Sequence, residues 1–368
     1  MRLFDPLLYE NVHLLIVAFI TVLCCILIQN KRAERLLHKS SSFSLVYFYA
    51  VVFIIVVGFR PIVAYTFGDS IVYANAYNNL SHIEEGVSSS RDLLFTLFMW
   101  SCSRVMSVNY FFFIVELLYV GSMVIACNRL FAKSADIALL FCFGAFSFFT
   151  YGVNGIRNGL ALSLVLVAIS LLQGNWREKV ICILLSIIAI SFHASASLPV
   201  LCMFAAIIIK KPKFLFWFWG LSIIVSLAAG NSISNLFASI GFDDRLSDYI
   251  HPDIEEDIYT KTGFRWDFLL YSFMPILLGW YVIFKKKVIN STYQLLLGTY
   301  IFANAFWIMV IRAEFSNRFA YLSWFLYPIV LAYPLLKFKL WPKTQGQKTA
   351  MIMFAHLAFT LIMVFIVG

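Results

Sequence analysis

Arg60, Arg157, Arg245, Arg265, Arg312 and Arg318 are the residues of this sequence best suited to chemistry. A guanidinium is planar and permanently charged, and it grips phosphate or carboxylate through two parallel hydrogen bonds. Most of the six lie at or near the ends of long apolar runs. There an ionised group costs roughly 2.5–3.5 kcal/mol at mid-membrane on insertion scales, and less near the interface. An anionic ligand held at that level would offset the cost. Proton-handling groups stand near them in the sequence. Asp69 and Tyr73 share one helix face at i, i+4, with Tyr77 one turn further on. His193 sits in S-F-H-A-S-A-S-L-P (191–199), at the end of an apolar run. R-A-E-F-S-N-R-F-A-Y-L-S-W (312–324) brings Arg312, Glu314, Arg318 and Tyr321 together.

Each position also has a structural reading. Asp69 reads as a helix N-cap or as an acceptor for a hydroxyl proton. His193 reads as a hydrogen-bonded packing residue, a phosphate ligand or a general base. Arg157 lies in G-V-N-G-I-R-N-G-L-A (152–161), where the flanking glycines suggest close backbone approach. Arg312 and Glu314 could form a purely structural ion pair. The acidic stretch 243–257 follows no metal-loop spacing and reads as a solvated loop, bracketed by Arg245 and Arg265. The seven cysteines all fall inside apolar runs with no C-x-x-C, so neither a disulfide framework nor a zinc site is indicated. No metal site is expected. Glu116, alone within an apolar helix, must be protonated or paired inside the protein.

The elements that position these residues follow from composition. Of 368 residues 62% are apolar and only 13% charged, about half the charge of a soluble domain. That excludes a water-soluble enzyme, a nucleic-acid binder and a disordered tail. A helix needs about twenty apolar residues to cross a bilayer. Such runs occur near 10–29, 43–59, 110–127, 137–153, 156–172, 179–193, 194–209, 214–230, 267–284, 293–311, 319–336 and 349–367. The first is followed by a basic cluster and not by a small-residue cleavage site, so it reads as a retained anchor. Residues 92–107 are barely long enough and contain Arg104. The expected fold is an all-α polytopic integral membrane protein. It has about twelve transmembrane helices plus one re-entrant or interfacial helix, in a single membrane domain over 1–368 with outer loops 60–109 and 231–266.

Positive charge in short loops orients the chain. With 92–107 only dipping into the membrane, 18 of the 28 basic residues fall on the cytoplasmic side, 14 of them Lys. Nine of the ten on the outer side are Arg. Orientation requires only charge, so the Lys/Arg division places the anion-gripping chemistry outside. The cytoplasmic turns are short and carry no Gly-rich phosphate loop, and no nucleotide or nucleic acid is expected there.

Four pieces, in order, carry a resemblance. They are G-F-R (58–60) with G-D-x-x-x-Y (68–73), N-G-I-R-N-G-L-A (154–161), S-F-H-A-S-A (191–196) and R-x-x-Y (318–321) before Pro328 and Pro334. Here the sequence resembles the EpsG-like branch of the Wzy-type polysaccharide polymerases of bacteria. It departs from that pattern at Asn158, where Gln is usual, and at Ser90-Arg91-Asp92, which replaces a Pro/Glu-rich approach to the dipping helix.

The resemblance implies a GT-C-like bundle in the bacterial inner membrane, active on its outer face without cofactor. It would extend O-antigen, capsule or exopolysaccharide from undecaprenyl-diphosphate-linked oligosaccharides. A chain-length regulator and a flippase would be its pathway partners, and membrane lipid its surroundings. That reaction needs a cationic clamp on the diphosphate, for which Arg157 and Arg318 are expected, with Arg60 and Arg265 in support. It also needs a base for the incoming hydroxyl, for which Asp69 and His193 compete. Tyr73, Arg245, Arg312, Glu314 and Tyr321 would bind substrate, and Phe-rich helices with 92–107 would line a polyprenyl path. An O-antigen ligase or another lipid-linked glycosyltransferase would use the same clamp, although residues 60–91 lack the D-x-D usual in metal-dependent relatives. A flippase would need ionisable groups near mid-helix along a path, where only Glu116 stands.

Overall fold

A computed structural model of the chain describes residues 5–33, 36, 44–63, 66–82, 92–239, 263–313 and 316–367, the side chains of 231–239 and 367 excepted. All regular structure among these residues is helical. The chain divides into two compact units, Met1–Ala196 with Leu335–Gly368, and Ser197–Pro334.

The first unit begins with α1 (Tyr9–Ile28), launched by a short turn in which the Asp5 carboxylate accepts from the Leu7 N–H. Leu14, Val17, Thr21, Cys24 and Ile28 recur every three to four residues and are buried. Leu15 and Phe19, on the opposite face, are 65% and 63% exposed. In water that stripe would be an aggregation surface, whereas hydrocarbon solvates it. There follow α2 (Ser44–Gly58), α3 (Gly68–Leu80), α4 (Leu93–Ser103), α5 (Val108–Phe131), α6 (Ala135–Phe143), α7 (Phe148–Val153), α8 (Ile156–Leu171) and α9 (Trp176–Phe192). Helix α5 packs on α2, α6 and α8, and α8 packs on α9. An Asn175–Glu178 capping box starts α9, and Glu178 also pairs with Arg129 at the end of α5.

The second unit contains α10 (Ser197–Ile208), α11 (Pro212–Ser239, broken at Ala229), α12 (Trp266–Trp280), α13 (Ser291–Met309), α14 (Ser316–Trp324) and most of α15 (Tyr327–Lys337). Helix α13 packs against α10, α11, α12 and α14. Several interior polar groups of this unit are spent on one another. Trp219 Nε1 donates to Asn304 Oδ1 at 2.8 Å, and Asn304 Nδ2 donates to Ser323 Oγ at 3.0 Å. Trp324 Nε1 donates to Ser272 Oγ at 2.7 Å. Such pairing is what a water-free interior demands. The closing helix α16 (Gln345–Ile362) returns to the first unit and lies along α1.

Among the described residues six helices are long and apolar enough to cross a membrane: Pro6–Ile28, Val108–Phe143, Pro212–Gly230, Trp266–Lys285, Ser316–Lys337 and Gln345–Ile366. The protein is a multi-pass membrane protein. Several other stretches with crossing-like apolarity form shorter helices, among them Ser44–Gly58 and Ile156–Leu171. Helix α4 rises about 16 Å, roughly half the hydrocarbon thickness, so it cannot cross by length.

The run 137–153 reads as one helix in sequence, but the chain breaks between α6 and α7. The carbonyls released at the break are taken up from far along the chain. His13 Nε2 donates to the Phe143 carbonyl at 3.1 Å, which leaves Nδ1 to accept from the Tyr49 hydroxyl. His356 Nε2 donates to the Phe141 carbonyl at 3.0 Å, and Thr360 Oγ1 to that of Gly144 at 2.8 Å. A broken helix survives in apolar surroundings only with its backbone satisfied in this way.

Candidate functional site

The break in α6–α7 and the tight turn after it deliver Arg157. The backbone runs from α7 into α8 through Asn154 and Gly155, placing Arg157 as the second residue of α8. Here α7 and α8 nearly touch. A Cβ on Gly159 would stand 2.2 Å from the Tyr151 carbonyl oxygen, so only glycine fits.

Arg60 holds this turn from below. It is 2% exposed, and its guanidinium donates to the carbonyls of Val57 (3.0 Å) and Val153 (2.8 Å) and to Ser70 Oγ (3.1 Å). Phe112 and Phe67 cover it. One side chain thus ties the end of α2, the start of α3 and the end of α7. The sequence suggests an anion-gripping role for Arg60, but its two terminal nitrogens are bonded inside the protein.

Above the turn four side chains converge. Arg157 donates through Nη1 to Asp92 Oδ2 at 2.8 Å and through Nε to the Tyr73 hydroxyl at 3.1 Å. His193 Nδ1 lies 3.2 Å from the same Asp92 oxygen. A carboxylate only accepts, so Nδ1 carries the proton and Nε2 is left as an acceptor in the neutral ring. The second Asp92 oxygen accepts the Ala194 backbone N–H at 3.1 Å. Asp69, one turn before Tyr73 on α3, adds a favourable charge to the surroundings of Arg157.

Each element has a reason to end here. Asp92 is the N-cap residue of α4, yet its side chain makes no cap bond and reaches across to α8 and α9 instead. His193 is the C-cap of α9, with extended backbone (φ −155°) that turns the ring out of the helix line. Burial opposes ionisation of Asp92. The His193 hydrogen bond and charge, the Ala194 N–H and the Arg157 charge outweigh it, and hold the carboxyl below the usual carboxylate range. Exposure is uneven: the Arg157 side chain is 32% exposed, against 7% for Asp92 and 9% for His193. The cluster therefore presents a cation outward, backed by a buried carboxylate–imidazole pair. That arrangement suits an anionic ligand meeting a group that takes a proton.

The structure thus brings together Arg157, His193 and Tyr73 among the residues singled out by sequence, with Asp69 nearby. Asp92 was visible only as a departure from a family pattern; an Asp directly before an apolar helix signals no more than a cap. Tyr77 turns away and donates to the Met106 carbonyl.

The remaining expected site residues belong to the second unit. Arg265, the N-cap of α12, forks onto Asp267 at 2.9 and 2.5 Å and lies 3.7 Å over the Phe268 ring. Arg312 follows α13, half-buried, with Gly230 leaving space for its stem. Arg318 is half-buried on α14, and Tyr321, one turn on, is 1% exposed. Arg245, Glu314 and the acidic stretch 243–257 lie outside the described residues. Among the described residues no three of His, Cys, Asp and Glu converge as a metal site would require.

No curated protein and no solved structure matches the chain. Residues 44–367 match the model of the EpsG family, and the chain therefore belongs to that family, the Wzy-like polymerases.

Proposed function

We propose that the protein is a Wzy-type glycosyltransferase. It joins undecaprenyl-diphosphate-linked oligosaccharide repeats into O-antigen, capsule or exopolysaccharide at the outer face of the bacterial inner membrane. One observation carries the reading beyond family membership: a single buried carboxylate, Asp92, engages both an outward-facing arginine and a histidine whose other nitrogen remains an acceptor.

In this reading Arg157 binds the diphosphate of the donor and stabilises the charge that grows on it as the glycosidic bond breaks. His193 Nε2 takes the proton of the acceptor hydroxyl while Asp92 fixes the ring through Nδ1. The hydroxyl oxygen bonds to the anomeric carbon, and the carbon–oxygen bond to phosphate breaks. Undecaprenyl diphosphate departs with the electron pair, and the proton rests on His193. The Asp92–His193 pair favours His193 over Asp69 as the base and leaves Asp69 to tune the field at Arg157. Tyr73 steadies the guanidinium from its Nε side. Arg318 and Arg312 of the second unit are proposed as further phosphate-holding cations, Tyr321 as a substrate contact, and a chain-length regulator and flippase as pathway partners.

The test is to incubate the purified protein with defined diphosphate-linked repeats, with a chelator and without nucleotide-sugar. Polymers of two or more repeats are expected. Absence of any product, alongside transbilayer movement of the lipid-linked repeat, would replace this reading with transport.

A further inference from the structure

Asp92 does more in this geometry than steady a histidine. Its Oδ2 is shared between Arg157 Nη1 and His193 Nδ1, at 2.8 and 3.2 Å, so two cation-capable groups draw on one carboxylate oxygen. Oδ1 is fixed by the Ala194 N–H, and the side chain is buried, so Asp92 is anchored to the α9 end of the cluster. Arg157 is different. It is the exposed member and the one on a flexible stem, free to exchange one oxyanion for another. Without ligand, then, Asp92 occupies on Arg157 the place that a phosphate oxygen would take.

We propose that Asp92 is a resident stand-in for the substrate phosphate, displaced from Arg157 when the donor diphosphate binds and thereby released to serve His193 alone. The inference rests on the reading of this cluster as a diphosphate site and adds an order of events to it. While Arg157 shares the oxygen, the carboxylate's charge is partly neutralised and supports a proton on His193 less. Once the diphosphate holds Arg157, the full carboxylate charge acts on the imidazole, which becomes a better base. Donor binding and base activation are thereby coupled: acceptor hydroxyls are deprotonated only with a donor in place. The proton balance is that of the transfer itself, from acceptor hydroxyl to His193 Nε2. Asp92 is a positioning residue, since it touches neither the anomeric carbon nor the hydroxyl.

The coupling has an unusual sign, which makes it testable. Removing the charge of Asp92 removes a competitor for Arg157, so binding should improve while turnover fails. The full-length protein in nanodiscs is titrated with farnesyl diphosphate, a short polyprenyl diphosphate, and separately with inorganic pyrophosphate. Comparison of the two separates lipid from free phosphate as the source of the anion. Asp92→Asn should bind farnesyl diphosphate about fivefold or more tighter than wild type, a typical coupling between linked sites. Its kcat for polymer formation should fall at least tenfold on the order expected of a lost base partner. Asp92→Glu, which keeps the charge, should not gain affinity, and Arg157→Ala should lose binding. Should the Asn variant fail to fold, Asp92→Ser removes the charge in the same way. Equal or weaker binding by a folded, uncharged variant would overturn the proposal and leave Asp92 as a brace. Failure of wild type to bind either diphosphate would instead overturn the diphosphate reading of the cluster.

Discussion

Arg157, Tyr73 and His193 were legible because their residue types are costly or unusual where they stand: a guanidinium and an imidazole at the ends of apolar runs. Asp92 was not, because nothing local marks it. Its partners lie 65 residues away at Arg157 and 101 away at His193, and only the fold brings them together. Arg60 looked like a ligand-gripping residue for the same reason that Arg157 did. The difference is Ser70 and the Val153 carbonyl, which close over Arg60 and leave its terminal nitrogens no outward role. A pH dependence follows from Asp92. Its carboxyl is held below its ordinary value, so its ion pairs contribute stability that is complete above about pH 4 and lost as pH falls through the depressed pKa. The thermal midpoint of wild type should therefore fall more steeply on acidification below about pH 4 than that of Asp92→Asn. Parallel slopes would mean that the carboxylate is not stabilised by its partners.

At the scale of elements, the apolar runs located most helices within a few residues: 293–311 was expected and Ser291–Met309 is observed. The break between α6 and α7 was hidden, since F-C-F-G-A-F-S-F-F is as apolar as the helix around it. What permits the break is the distant set His13, His356 and Thr360, which no window of sequence connects to it. The break and the turn after it set the position of Arg157, and two substitutions test that. Gly159→Ala forces α7 and α8 apart, an overpacking that typically costs about 1–3 kcal/mol. Its thermal midpoint should fall, and diphosphate binding should weaken with it. Arg60→Met keeps the stem but removes the guanidinium bonds to the Val57 and Val153 carbonyls and to Ser70 Oγ, leaving Val153 only the longer bond from the Ser70 hydroxyl at 3.3 Å; a hydrogen bond to a charged group is typically worth about 1.5–3 kcal/mol. Arg60→Lys should rescue little, because one ammonium cannot replace the planar fork that spans three acceptors. Full activity in both variants would detach the turn from the site.

For the whole molecule, composition alone established an all-helical membrane protein, and the lipid-facing stripe of α1 gives that statement its physical content. The number of crossings is less legible, because runs of 15 to 17 residues such as α2, α8 and α9 are helices of intermediate length. Orientation rests on the Lys-rich turns, and it can be checked by labelling intact cells with a membrane-impermeant maleimide. Lys286→Cys, in an exposed Lys-rich turn, should react only after the cells are opened, and Asn78→Cys, exposed at the end of α3, should react in intact cells. The reverse pattern would invert the protein and place the Arg157 cluster in the cytoplasm.

If Arg157 holds the leaving diphosphate during chain growth, the glycan profile of cells carrying only an Arg157→Ala protein must show it. With the variant inserted at wild-type abundance, the long-chain ladder should be lost, leaving glycans of a single repeat. A ladder of normal length and spacing from that variant would contradict it.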